Sequence, residues 1–148
     1  MSDSILKLNK TSRPTKVAFQ REWYIFDASK EPLGRLASKA ARILMGKHKA
    51  NYSQDINMGG VVVIINANQT VLTGQKAVKK NYFHYSGFMG GMKVRSFPEQ
   101  MAKDATKPMH LAIRGMVPKN RHRDIRTNQL LHIFPEGHNF TQQMIEAN

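Results

Sequence analysis

Residues 21–49 read REWYIFDASKEPLGRLASKAARILMGKHK, and the change of period inside this stretch decides the fold. Its first eight residues, REWYIFDA (21–28), are rich in aromatic and β-branched side chains, the composition of a strand. From Glu31 the pattern turns helical. Pro32 suits a first helical turn, and Gly46 followed by Lys47 suits a helix end. Leu33, Leu36, Ala37, Ala40 and Leu44 recur at spacings of three and four, so they form one apolar stripe. Arg35, Lys39 and Arg42 fall on the opposite side. One face of the helix is made to pack on a sheet, and the other presents three cations.

Working outward, GGVVVIINA (59–67) is apolar throughout instead of alternating, which suits a strand covered on both faces in a parallel sheet. In QTVLTGQKAVKKN (69–81), Thr73 and Gly74 mark a turn into a short basic helical segment. YFHYS (82–86) has strand composition, and Gly87, Gly90 and Gly91 form a loop after it. SFPEQMAKDATKPMHLAIRGMV (96–117) reads as two helices, opened by Pro98 and Pro108. PKNRHRDIRTNQ (118–129) is a basic connector with some helical character, and LLHIFP (130–135) is a last short strand. Strands alternating with helices argue for an α/β/α layered domain with a mostly parallel sheet.

A chain of 148 residues with a hydrophobic fraction of 41% fits a single domain with a real core, here expected over 19–148. Residues 1–18 are polar and basic, with Lys7, Lys10, Arg13 and Lys16 against Asp3, and are expected to be a flexible extension. The net charge of +13 opposes compaction by self-repulsion and favours a polyanionic partner. Cysteine is absent, which excludes disulfides, thiolate catalysis and cysteine-ligated zinc. No apolar run approaches the roughly 18 residues that span a bilayer. The expectation is a soluble intracellular protein with no membrane partner.

Neither G-x-x-x-x-G-K-[ST] nor G-x-G-x-x-G occurs, so no mononucleotide pocket, small-molecule substrate or cofactor is indicated. Asp27 ends the first strand, where catalytic carboxylates often lie, but it has no carboxylate partner in sequence and suits a turn. His84 and His122 could pair as acid and base in a nuclease. No H-x-x-x-H spacing falls in a helical segment, and no metal site is expected. The basic clusters say more. GKHK (46–49) and IRGMVPKNRHRDIR (113–126) concentrate cations that repel one another unless phosphates lie between them. Set beside the aromatic and glycine-rich YFHYSGFMGGMK (82–93), they suit folded RNA, where unstacked bases and irregular backbones are accessible.

Three stretches carry a family resemblance: REWYIFDASKEPLGRLASKAARILMGKHKANYSQDINMGG (21–60), VVIINANQTVLTGQKAVKKNYFHYSGFMGGMK (62–93) and AIRGMVPKN (112–120). The chain resembles the bacterial-type L13 family of large-subunit ribosomal proteins from about Phe19 to Gln143. The resemblance implies a three-layer α/β/α fold with a parallel sheet of about four strands. It implies a structural constituent of the large ribosomal subunit, in the cytoplasm or an organelle, that binds 23S-type ribosomal RNA during early assembly and touches neighbouring ribosomal proteins. It implies no enzymatic activity. The RNA contacts carried over by motif are Lys47, His48 and Lys49; Tyr82, His84, Tyr85, Ser86 and Gly87; Gly90, Gly91 and Lys93; and Arg114, Gly115, Met116, Lys119 and Asn120. Arg35 and Lys39 on the helix, and Arg121, Arg123 and Arg126 in the basic connector, complete the expected interface. After RGMVPK the chain departs from the family pattern, with NRHRDIR where relatives carry a glycine-rich stretch with a Gly-Arg pair. Two further readings stand beside this one: a free regulator of messenger RNA, and an α/β nuclease.

Overall fold

A computed structural model describes residues 21–137 and 145–146; the extension expected over 1–18 lies outside them. Strand β1, Trp23–Asp27, leads into helix α1, Leu33–Met45, which ends on Gly46 in a left-handed conformation. Every member of the apolar stripe, Leu33, Leu36, Ala37, Ala40 and Leu44, is buried, joined by Ala41 and Met45. They pack with Phe26, Val62, Ile64, Met109, Ile113 and Leu131. Burial of each large aliphatic side chain contributes about 1.5–3 kcal/mol, so the stripe is the main reason this helix holds to the sheet.

Strand β2, Val61–Ile65, has its first four residues buried, as its unbroken apolar run requires of a strand covered on both faces. It pairs in parallel with β1, Trp23 opposite Val61 through Asp27 opposite Ile65. Gly59 makes this approach possible. A Cβ there would sit 2.0 Å from the Leu44 carbonyl oxygen, so the chain passes the end of α1 closer than any side chain allows. After a single 3₁₀ turn, Ala67–Gln69, comes the short helix α2, Lys76–Lys79.

Here the structure corrects the expectation. Strand β3, Asn81–Tyr85, does not join the parallel sheet. It pairs antiparallel with β4, Met92–Ser96, as a separate two-stranded hairpin. The stretch MKVRS alternates with period two, which is strand patterning that the preceding glycines disguise as loop. The hairpin is tied at its base, where the Phe97 amide donates to the Lys80 carbonyl at 2.9 Å.

Helix α3, Phe97–Lys103, starts with Pro98 in its first turn, and the Ser96 amide donates to Glu99 Oε2 at 3.1 Å. Helix α4, Thr106–Met116, begins two residues before Pro108 and packs along α1. Asp104 caps its start, accepting from the Thr106 amide and hydroxyl at 3.0 and 2.7 Å. The basic connector contains helix α5, His122–Asn128. Strand β5, Leu131–Ile133, then pairs in parallel with β2 on the side away from β1. On the other side of β1, the two-residue β6, Ile145–Glu146, pairs in parallel with Tyr24 and Ile25. The domain is α/β: a parallel sheet around β5, β2 and β1, a small antiparallel hairpin, and five helices among the described residues.

Candidate nucleic-acid interface

Directly opposed residues of an antiparallel pair project to the same side. The register sets Tyr82 opposite Arg95 and His84 opposite Lys93, so two rings and two cations share one face of the hairpin. That face turns toward α3 and α4 and closes a cleft of about 320 Å³, to which Gln100, Lys107 and Leu111 also contribute. Tyr82 Oη and Gln100 Nε2 are both buried with no hydrogen-bond partner. Leaving such a group unsatisfied costs about 1–3 kcal/mol. Burial raises the Tyr82 pKa, so its hydroxyl keeps its proton, and Lys80 Nζ lies 5.4 Å from the ring centroid.

The opposite hairpin face carries Phe83 opposite Val94 and Tyr85 opposite Met92, and all four are exposed. Beyond them the tip runs Ser86 to Gly91. Gly87 and Gly90 have φ of 90° and 70°, and Phe88 and Met89 stand in solvent beside them. The left-handed glycines turn the chain back without a Cβ, which leaves backbone N–H groups reachable by an anion. Tyr82 and His84 therefore share a face and Tyr85 takes the other, as alternation demands.

The GKHK segment follows α1 directly. Lys47 is exposed, and Lys49 is half-buried. His48 turns inward, edge-on to Tyr24 at 5.4 Å between centroids, with Nε2 3.9 Å from Glu22 Oε2. Burial, helped by the charge of Lys49, holds its pKa below the ordinary histidine value, so the imidazole is neutral at pH 7. Tyr24 donates to the Glu22 carboxylate, and burial together with that bond pushes the phenol up to about 12.

Around the end of α4, Arg114, Gly115 and Met116 are exposed, as are Lys119, Asn120 and Arg121 in the connector. Arg114 and Arg123 approach the same carboxylate, Asp124, at 3.6 and 3.9 Å, so one acid holds two cations at the junction of α4 and α5. On α1, Arg35 is exposed while Lys39 is held by Glu31.

Arg126 must be withdrawn from the expected interface. Its side chain is 1% exposed, and its Nε donates to Asn57 Oδ1 at 3.2 Å. It sits on the inner side of α5 and ties that helix to the segment before β2. Burial lowers its pKa, and its Nη2 finds no hydrogen-bond partner. It faces the interior and is not available to a phosphate.

Among the described residues, the two candidate histidines of the enzyme reading are not brought together. Asp27 Oδ1 accepts from the Ser29 amide at 3.0 Å, the Ser29 hydroxyl at 2.7 Å and Asn66 Nδ2 at 3.1 Å. Burial works to raise its pKa, but these bonds and the charge of Lys30 outweigh it and hold the carboxylate below its usual range. Asp27 fastens a turn. His122 is on α5 and does not line the cleft that His84 lines. Among the described residues no group of three His, Asp or Glu is placed to hold a metal, and no helix is long and apolar enough to cross a membrane.

Five residues lining the cleft were not among the expected contacts, and one of them, Phe83, lies within YFHYS itself. Arg95 had a signal, since it follows Lys93 at the strand period of two in MKVRS. Gln100, Lys107 and Leu111 had none, because only the packing of α3 and α4 brings them beneath the hairpin.

Fold and surface together define a small basic α/β protein whose cations stand on a hairpin and on helix-end loops, the class that accompanies polyanions. Comparison with known proteins then gives the family. Residues 21–139 match the family described as Ribosomal protein L13. Among similar curated proteins, the large ribosomal subunit protein uL13 of Legionella pneumophila (strain Corby) is 46% identical over 101 residues, covering 68% of this chain and 70% of that protein. The uL13 of Synechococcus elongatus is 42% identical over 113 residues, covering 76% and 75%. The chain belongs to the ribosomal protein L13 family, which is structural and not enzymatic.

Proposed function

We propose that this protein is a structural constituent of the large ribosomal subunit that binds large-subunit ribosomal RNA and helps the subunit assemble early. The observation that carries the reading is the hairpin face, where Tyr82, His84, Lys93 and Arg95 stand together with no carboxylate among them. Lys47 and Lys49 after α1, Arg114 to Met116 at the end of α4, and Lys119 to Arg121 with Arg123 are further contact points. So are Arg35 and Lys39, and the tip residues Ser86, Gly87, Gly90 and Gly91. His48, neutral and turned inward, contributes by positioning its two lysines. Cations at these sites displace counterions from several RNA segments, while the buried sheet keeps the sites in fixed relation.

The exposed apolar hairpin face, Phe83, Tyr85, Met92 and Val94, suits a neighbouring ribosomal protein or stacked bases. A three-layer arrangement with about four strands agrees with the burial of β2 on both faces and with the parallel pairing of β6. Sedimentation of a lysate containing the tagged chain tests the reading. The protein is expected in the large-subunit fraction. Recovery only at the top of the gradient, bound to messenger RNA or free, would favour the regulator instead.

A further inference from the structure

The cleft between the β3–β4 hairpin and helices α3 and α4 is more elaborate than phosphate contact alone requires. Gln100 is 3% exposed, lines this cleft, and has an amide nitrogen without a hydrogen-bond partner. Tyr82 brings a second buried orphan, its hydroxyl, to the same cavity. Buried polar groups in folded proteins are nearly always satisfied, so two orphans on one cavity point to a ligand that completes them. The charge of the lining has one sign: Lys93, Arg95 and Lys107 are present and no carboxylate is. The volume of about 320 Å³ lies at the lower end of the roughly 300–1,000 Å³ range of small-ligand sites, too small for a helix and suited to one flat group.

We propose that this cleft receives a single unstacked RNA nucleotide. Gln100 and Tyr82 hydrogen-bond the acceptor edge of its base, Leu111 and the Tyr82 ring supply apolar contact, and Lys93, Arg95 and Lys107 hold its phosphate. The chemistry is that of single-stranded RNA recognition, in which a splayed base is packed on an aromatic ring and read along its edge. A glutamine amide is well matched to that task. An acidic side chain of a protein partner would satisfy the lysines, but it would not use the flat apolar surface. The inference rests on the RNA-binding reading above and adds to it a one-nucleotide receptor.

The test compares full-length wild type, Gln100→Met and Tyr82→Phe on large-subunit ribosomal RNA, by filter retention and by 2′-hydroxyl acylation of the bound RNA. Gln100→Met conserves volume and removes the amide; Tyr82→Phe removes only the hydroxyl. Loss of one such hydrogen bond is expected to weaken binding roughly three- to tenfold. Acylation is expected to change at one or two nucleotides, the same ones in both variants, with the rest of the footprint intact. Should Gln100→Met fail to fold, Tyr82→Phe decides alone. An unaltered footprint in the variants, with wild type still bound, overturns the cleft assignment and leaves the RNA-binding reading standing. Failure of wild type to bind the RNA removes both. In a parallel NMR titration, adenosine or uridine 5′-monophosphate should move the Gln100 side-chain amide more than inorganic phosphate does. Movement with an oligoglutamate peptide but not with the nucleotides would assign the cleft to an acidic protein and overturn the proposal.

Discussion

Strands β2 (VVVII) and β3 (NYFHY) are equal in length, and both are rich in side chains that favour strands. In β2 four of the five residues are buried; in β3 four of the five are exposed. β2 has a parallel neighbour on each side and takes part in the core beneath α1. β3 has one antiparallel neighbour, and helices meet only one of its faces. The difference shows a division of labour. The sheet spends its apolar residues on rigidity, and the hairpin keeps most of its side chains at the surface, where the proposed RNA contacts lie.

The comparison breaks most violently at the glycines. Gly59→Ala forces a Cβ to 2.0 Å from the Leu44 carbonyl, so α1 and β2 must separate. A loss of about 3 kcal/mol or more, or failure to fold, is expected in urea denaturation. Gly90→Val in the hairpin tip meets nothing within 4 Å but is strained at φ +70°, costing roughly 1–2 kcal/mol confined to the tip. It should weaken RNA binding while the sheet still melts cooperatively. Equal collapse of both variants would erase the distinction between core and hairpin.

A gentler contrast pairs Leu36→Ala with Tyr85→Ala. Leu36 is fully buried, and its truncation should cost about 2–5 kcal/mol. Tyr85 is 64% exposed, so its removal should stay within about 0.5 kcal/mol while lowering affinity for RNA.

Arg126 and Arg121 sharpen the comparison further, since they lie five residues apart and differ completely in burial. Arg126→Met removes the donor that Asn57 Oδ1 accepts from and unties α5 from the segment before β2, so it should cost about 1–3 kcal/mol of stability. RNA affinity should be unchanged. Arg121→Met should leave stability alone and reduce the slope of log affinity against log salt by roughly 1.

The smallest expected effect is on pH. His48 and His110 are held below the ordinary value of 6.5, chiefly by burial. The unfolded chain therefore binds protons that the folded chain refuses, and stability should fall as the pH drops below about 6.5. Asp27 and Asp104 lie below the ordinary value of 3.8, so the stability they contribute is lost only in more acidic solution, as pH falls through their folded values. Urea midpoints between pH 5 and 7.5 should decline on acidification, and a His48→Gln, His110→Gln double variant should flatten that window.

These contrasts also mark what the sequence could tell. The α1 stripe was legible because five apolar residues at helical spacing have one place to go, and all five are buried. β2 was legible because an unbroken aliphatic run needs cover on both faces. The hairpin is half legible: YFHY speaks for a strand, but MKVRS, following glycines and carrying two cations, does not declare itself as one. Its pairing partner was invisible because period two does not say which strand lies alongside. Arg126 misled for another reason. A run such as RHRDIR declares charge but not direction, and only the wrap of α5 against Asn57 turns one of its arginines inward. Gln100 and Tyr82, which line one cleft, belong to separate elements with no shared pattern.

The central claim is that a rigid α/β core presents cations to large-subunit ribosomal RNA, and the salt dependence of binding by the full-length protein tests it most directly. With four to six phosphates neutralised, at roughly 0.7 per phosphate for single-stranded segments, log affinity should fall linearly against log salt with a slope of about −3 to −4. A flat dependence would contradict the account.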